Sequence, residues 1–185
     1  MNFLKVMMFV TMTLVLQMAS AHAGSTGKLP NPQENALVHV AVTEGYLDYN
    51  QIKAIVQTVS NRAYYYGDAT NVSRVVYDKK EMFGPQDKKT PWVGSEAERF
   101  KETAEILQPY FGKLKKGEII APHLATAWHF DMKYHPEWGK LLAKYTFVDG
   151  NGKKRTLYVQ EARNKAVTAK LKQRAAQQSV DLALN

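Results

Sequence analysis

Apolar residues recur at three- and four-residue spacing through Ile52, Ile55, Val56, Val59 and Ala63, with polar residues between them. That is the period of a helix with one buried face, and Asn50 stands where a cap would serve it. A helix is predicted just upstream from Asn31 as cap, Pro32 at the first helical position and Glu34 two further on. Leu37, Val40 and Ala41 share one of its faces, and it should fade near Thr43 to Gly45. Ser95-Glu96-Ala97-Glu98 reads as a capping box in front of Phe100, Ala104 and Leu107. That third helix stops near Pro109 to Gly112, and Lys113 to Gly117 follows as a basic turn. The pattern changes at "YTFV", Asp149-Gly150-Asn151-Gly152 and "RTLYV", which together predict a β-hairpin. From Gln160 to Leu184 there are few breakers and many Ala, Lys, Arg and Gln, so a terminal helix with a thin apolar stripe is expected. No internal repeat is present. The expected class is α+β, a mainly helical single domain with a small hairpin.

The start of the chain has a different pattern. Met1 to Lys5 carries one positive charge, Val6 to Met18 is mostly apolar, and both Ala19-Ser20-Ala21 and Ala21-His22-Ala23 offer small-x-small cleavage sites. This is the layout of a secretory signal peptide, with an apolar core too short to span a bilayer comfortably. The expected organisation is therefore a signal at 1–23, a polar linker at 24–30, a domain at 31–159 and a basic helix at 160–185. An exported protein, periplasmic or extracellular, is expected. About 160 residues remain, enough for one domain with an adequate core.

The chain has no cysteine, which excludes disulfides and thiolate chemistry and leaves stability to burial. Its formal charge of +8 falls to about +7 without Lys5 and suits a polyanionic partner. In a bacterial envelope these are teichoic acids, lipopolysaccharide and peptidoglycan carboxylates. Export argues against nucleic acid. The segment from Lys153 to Arg174 gathers eight basic residues. It reads either as a surface held against such polymers or as a solvated helix face.

Glu44 is the carboxylate that attracts chemistry. Its placement at a helix C-terminus, where the macrodipole presents negative charge, favours retention of its proton. Tyr46 and Tyr49 stand close enough in sequence to shield it. A proton held near neutral pH is what a general acid requires. The plainer reading is a surface glutamate at a helix end.

Glu44-Gly45-Tyr46-Leu47-Asp48 followed by "IKAIVQTVSNR" resembles the opening of the SleB/CwlJ-type cell-wall hydrolases, where "EARGE" leads into an apolar helix ending in Asn-Arg. The resemblance places Glu44 on the family's catalytic glutamate, Asp48 on its second acid, and Asn61 and Arg62 on the Asn-Arg pair. Three further stretches follow in the family's order. "VVYDKKEMFG" is similar to "VVY…QF", with Phe83 on the phenylalanine and Glu81 or Met82 where the glutamine would stand. "TAWHFD" is similar to "GATHYHN", which puts Ala127 and His129 on matching positions. Pro136 and Trp138 match a Pro-x-Trp, and the hairpin closes the order. The likeness spans most of residues 36–159. The chain departs from it in lacking the "ARG", the glutamine and one residue between the second acid and the helix.

The resemblance implies cleavage of peptidoglycan glycan strands between N-acetylmuramic acid and N-acetylglucosamine, by a lytic transglycosylase or a muramidase. No cofactor and no metal are expected, and the protein, from a bacterium or a phage, is expected to act as a monomer. A transglycosylase needs one glutamate, because the substrate's own 2-acetamido or 6-hydroxyl group traps the oxocarbenium-like centre. No second carboxylate at ~5 or ~6.5–9.5 Å is then required.

Each supporting residue also has a plainer reading. Asp48 is a second acid or a helix-start aspartate. Asn61 braces the Glu44 loop, or with Arg62 simply closes a helix. His129 binds sugar or orients Glu44, or is a half-buried histidine satisfied by backbone. The spacing of His39, His123, His129 and His135 matches no compact zinc pattern. Trp92, Trp128, Trp138 and Tyr64-Tyr65-Tyr66 stack on sugars or fill core and loops. Two rivals to an enzyme stand beside it, an inactive wall-binding protein of the same ancestry and a basic polyanion-binding module.

Overall fold

The computed structural model describes residues 31–44, 48–77, 95–149 and 151–184. The expected signal and linker, Tyr46, Phe83 with its neighbours Glu81 and Met82, and Trp92 lie outside the described residues. The architecture is α+β, helices packed on a three-stranded antiparallel sheet.

Helix α1 (Pro32–Glu44) begins as its sequence dictates: the Asn31 side chain accepts from the Gln33 amide at 2.8 Å and the Glu34 amide at 3.3 Å. Its burial exceeds expectation. Every residue from Ala36 to Val42 is buried, not one face only, so α1 runs through the core. Helix α2 (Tyr49–Tyr65) follows, and Ile52, Ile55, Val56, Val59 and Ala63 are all buried. Its cap is Asp48, not Asn50: the Asp48 carboxylate accepts from the Gln51 amide at 3.0 Å, and its backbone is extended as a cap requires.

Helices α3 (Val72–Tyr77) and α4 (Ser95–Leu107) pack against α1, with Val72, Val75, Val76, Phe100 and Leu107 in the core. A 3₁₀ turn at Gln108–Tyr110 leads into α5 (Phe111–Lys115), which buries Phe111 and Leu114. The predicted basic turn is thus partly helix. Only its end turns, at Gly117, with φ of 69°.

A second 3₁₀ turn (Pro122–Leu124) precedes β1 (Ala127–Asp131), a strand that the hairpin expectation did not include. Strands β2 (Leu141–Val148) and β3 (Lys154–Glu161) form that hairpin, in the sheet order β1-β3-β2. At the turn Asp149 accepts from the Asn151 and Lys153 amides and from Arg155 Nε, at 3.0, 2.9 and 2.9 Å. Phe130 pairs with Val159, and Ala143 with Val159 from the other side, so these residues share the face turned to the helices. His129 pairs with Gln160 and Asp131 with Tyr158, on the opposite face.

Strand β3 continues to Glu161, so the terminal helix α6 (Lys165–Ala183) starts five residues later than predicted, capped by Asn164. It docks through Val167, Leu171 and Arg174. Arg174 is therefore buried rather than on a solvated face.

Candidate functional site

Glu44 closes α1. The helix end is held from two sides: Thr43 Oγ1 donates to the His39 carbonyl at 2.9 Å, and Arg99 from α4 donates to the Val42 carbonyl at 2.9 Å. The Glu44 side chain is half-buried and makes no hydrogen bond or ion pair among the described residues. Burial pushes its carboxyl above the ordinary carboxylate range, and the Asp131 carboxylate pushes it further the same way. The macrodipole at this helix end acts in the same direction. The result is an unpaired carboxyl that holds its proton more tightly than an exposed glutamate does.

Asp131 stands at the end of β1, where the sequence reading assigned no role. Its carboxylate accepts from the Lys133 amide at 2.8 Å and lies 3.6 Å from His135 Nε2. The only signal in the sequence was its place two residues after His129 in "TAWHFD".

Asp48 has a structural task as the α2 cap, and its charge acts on Tyr145 of β2, raising that phenol after the larger effect of burial. Tyr145 in turn meets His123 Nε2 at 3.0 Å. The second carboxylate whose charge reaches Glu44 is therefore Asp131, and Asp48 does not fill that place.

Asn61 is fully buried and braces a different segment from the one expected. Its Nδ2 donates to the carbonyls of Leu124 and Ala127 at 3.0 and 2.8 Å, and its Oδ1 accepts from Gln57 Nε2 and Arg174 Nη1 at 2.8 and 3.1 Å. Gln57 Oε1 accepts from the Ile120 and Ala121 amides at 2.8 and 3.1 Å. Next to Asn61 on α2, Arg62 donates through Nε and Nη2 to the Trp128 carbonyl at 2.9 and 2.7 Å. Gln57, Asn61 and Arg62 thus fasten the chain from Ile120 to Trp128 along α2 and fix where β1 starts. Ala127 is fully buried at that start, where its carbonyl is one of the groups held.

His129 does not hydrogen-bond Glu44 among the described residues. Its ring lies 4.6 Å from that of Trp138, and His135 stacks on Trp138 at 3.9 Å and 12°. Burial, then the nearby charges of Arg62 and His135, lower His129 to about 4, so its imidazole is neutral at neutral pH. The loop that carries Trp138 is pinned by Gln160, whose Nε2 donates to the carbonyls of His135 and Gly139 at 2.7 and 3.0 Å. Gly139, at φ 147°, presses so close that an added Cβ would meet the Glu161 carbonyl oxygen at 2.4 Å.

Two further aromatic groups bear on the sequence reading. Trp128 packs edge-on against Tyr65 at 5.3 Å and under Arg62 at 5.5 Å, while Lys170 and Arg174 sit over Tyr64 and Tyr65, so this cluster anchors α6. Tyr49 and Tyr110 form a second, more exposed group beside Asp48. Apart from His129 and His135, His39 meets Tyr77 and His123 meets Tyr145 among the described residues. No group of three or more His, Cys, Asp or Glu side chains that could hold a metal occurs among the described residues.

Compared with known proteins, the chain matches no family model, no curated protein and no solved structure. The assignment of chemistry therefore rests on the residues. Chemically, the arrangement offers a carboxyl of raised proton affinity at Glu44, the Asp131 carboxylate near it, and aromatic and imidazole faces on the neighbouring strand and loop.

Proposed function

We propose that this protein cleaves the glycan strands of peptidoglycan, with Glu44 as general acid. The observation that carries the reading is the half-buried, unpaired Glu44 carboxyl at the C-terminus of α1, its proton favoured by burial and by Asp131. The order of stretches shared with the SleB/CwlJ-type hydrolases supports it, and export to the envelope belongs to the same reading. In the reaction, Glu44 donates its proton to the glycosidic oxygen as the bond to the anomeric carbon breaks. The electron pair leaves with that oxygen, and positive charge develops on the ring. Asp131 then favours the transition state by its negative charge. The centre is closed either by the sugar's own 6-hydroxyl, giving a 1,6-anhydro end, or by water, giving a reducing end. In both cases Glu44, now a carboxylate, takes up the released proton.

Digestion of purified sacculi followed by mass spectrometry tests this. Native protein should release cut strands, and Glu44→Gln should lose about 10²–10⁴-fold in rate, the range for a general acid. Equal cutting by both proteins removes Glu44 from the chemistry. Native protein that binds sacculi and leaves every strand intact would instead support a wall-binding protein. The departures from the family pattern, together with the use of Asp48 as a helix cap, give that reading its specific support.

A further inference from the structure

One surface group is left unused by the proposed chemistry. Tyr49, the first residue of α2, is 45% exposed, and its hydroxyl meets that of Tyr110 from the 3₁₀ turn after α4. The two rings are 6.5 Å apart and tilted by 54°. Lys53, one helical turn after Tyr49, holds its ammonium over both, 5.1 Å from one centroid and 4.9 Å from the other. Two electron-rich faces thus position a cation that no carboxylate of the described residues neutralises. Asp48, the nearest acid in sequence, is engaged as the α2 cap.

We propose that Tyr49, Tyr110 and Lys53 form a binding subsite for a sugar that carries a free carboxylate, the O-lactyl-substituted sugar of a glycan strand from which the peptides have been removed. The inference rests on the reading of Glu44 given above and adds what the strand presents next to the cut. Tyrosine faces take the C–H face of a pyranose, and their hydroxyls offer polar contacts at the rim. An ammonium has three donors, and those turned away from the rings remain for an anion. The subsite also lies within reach of the acid. Tyr49 follows Glu44 by five residues, so their backbones are at most about 18 Å apart, a span that a short oligosaccharide covers. A purely structural cation–π contact would need neither the exposure of Tyr49 nor an unneutralised charge.

The test is equilibrium binding, measured by calorimetry on full-length Glu44→Gln protein so that no turnover intervenes. Two oligosaccharides of equal length are compared. One is built of N-acetylglucosamine alone, the other alternates it with N-acetylmuramic acid bearing a free carboxylate. The carboxylated ligand should bind about tenfold tighter at low salt, with the advantage shrinking as salt is raised. Adding Lys53→Met, which keeps the apolar stem over the rings, should cut the preference to within about twofold and leave the neutral ligand's affinity unchanged. Lys53→Gln serves the same purpose should the methionine variant fail to fold. Equal affinity for the two ligands, a preference that survives both Lys53 variants, or no binding of either ligand overturns the subsite. Failure of the cleavage reading looks different: sacculi stay intact while the Lys53-dependent preference persists. Cutting without that preference removes the subsite alone.

Discussion

At Glu44 the same forces that the proposed proton donation would draw on also cost the fold something. Its carboxyl is raised above its ordinary value near 4.5 by burial and by Asp131, so the folded state binds its proton more tightly than the unfolded chain does. The penalty is absent below about pH 4.5 and sets in as pH rises through the folded value. Glu44→Gln removes it, so the inactive variant should melt no lower than native protein at pH 7 and above. The two melting curves should converge near pH 4, and a variant less stable than native at pH 7 would contradict this. Asp131 gives the complementary test. Under the proposed role of Glu44 as general acid, activity should fall as pH climbs through its pKa. Asp131→Asn removes a negative charge that holds the proton on, and the alkaline limb of the pH–rate profile should move to lower pH. An unmoved limb would show that this charge does not act on Glu44.

The elements around the site are set by side chains that serve as caps and braces, and two aspartates or amides that look alike in sequence differ sharply in what they hold. Asp48 caps α2 at the surface: Asp48→Ala should cost about 1 kcal/mol. Asp48→Asn keeps the cap without the charge, so it should retain activity within about tenfold; a far larger loss would make Asp48 an acid after all. Asn61 is different. Asn61→Ala takes the donors from two buried carbonyls and an acceptor from Gln57 and Arg174, and chemical denaturation should show a loss of about 2–4 kcal/mol. The difference explains what was legible in the sequence. The period of α2 and the hairpin turn are local patterns, and both were readable. Strand β1 was not, because its register shifts between Ala127 and His129 and because its partner is distant in the chain. The end of β3 was misread as helix because Gln160, a polar residue, is buried there to pin the loop that carries Trp138. The nearness of Asp131 to Glu44 comes from tertiary folding and left no local trace. Asn61 was singled out, but its partners at Leu124 and Ala127 could be learned only from the fold.

On the scale of the molecule, α6 ties the far end of α2 to the segment that feeds the sheet, and Arg174 is its central fastening. Its guanidinium donates to Asn61 Oδ1 at 3.1 Å, to Ser60 Oγ at 3.4 Å and to the Gly117 carbonyl, with the Tyr64 ring 4.6 Å away. Burial lowers it to about 10, so the charge is kept at neutral pH although the site disfavours it. No carboxylate of the described residues pairs with it, and its Nε has no hydrogen-bond partner. Its acceptors are better supplied: Asn61 Oδ1 also receives Gln57 Nε2, and the Gly117 carbonyl also receives Gln178 Nε2 at 3.1 Å. Removing the charge while keeping the bulk therefore leaves Asn61 and Gly117 with a donor each, takes only the long 3.4 Å contact from Ser60, and recovers some of the desolvation cost. Arg174→Met should destabilise by only about 1 kcal/mol. Arg174→Ala opens a cavity between α6 and α2 as well, and should cost about 2–3 kcal/mol. Since only Val167 and Leu171 otherwise bury α6 in its second, smaller core, that loss should appear first as local opening. Hydrogen exchange resolves it: in Arg174→Ala the amides of α6 should exchange roughly a hundredfold faster, while those of α2 between Ile55 and Val59 keep their protection. Equal acceleration in both helices would mean that α6 is an integral part of the main core and not a separately fastened element.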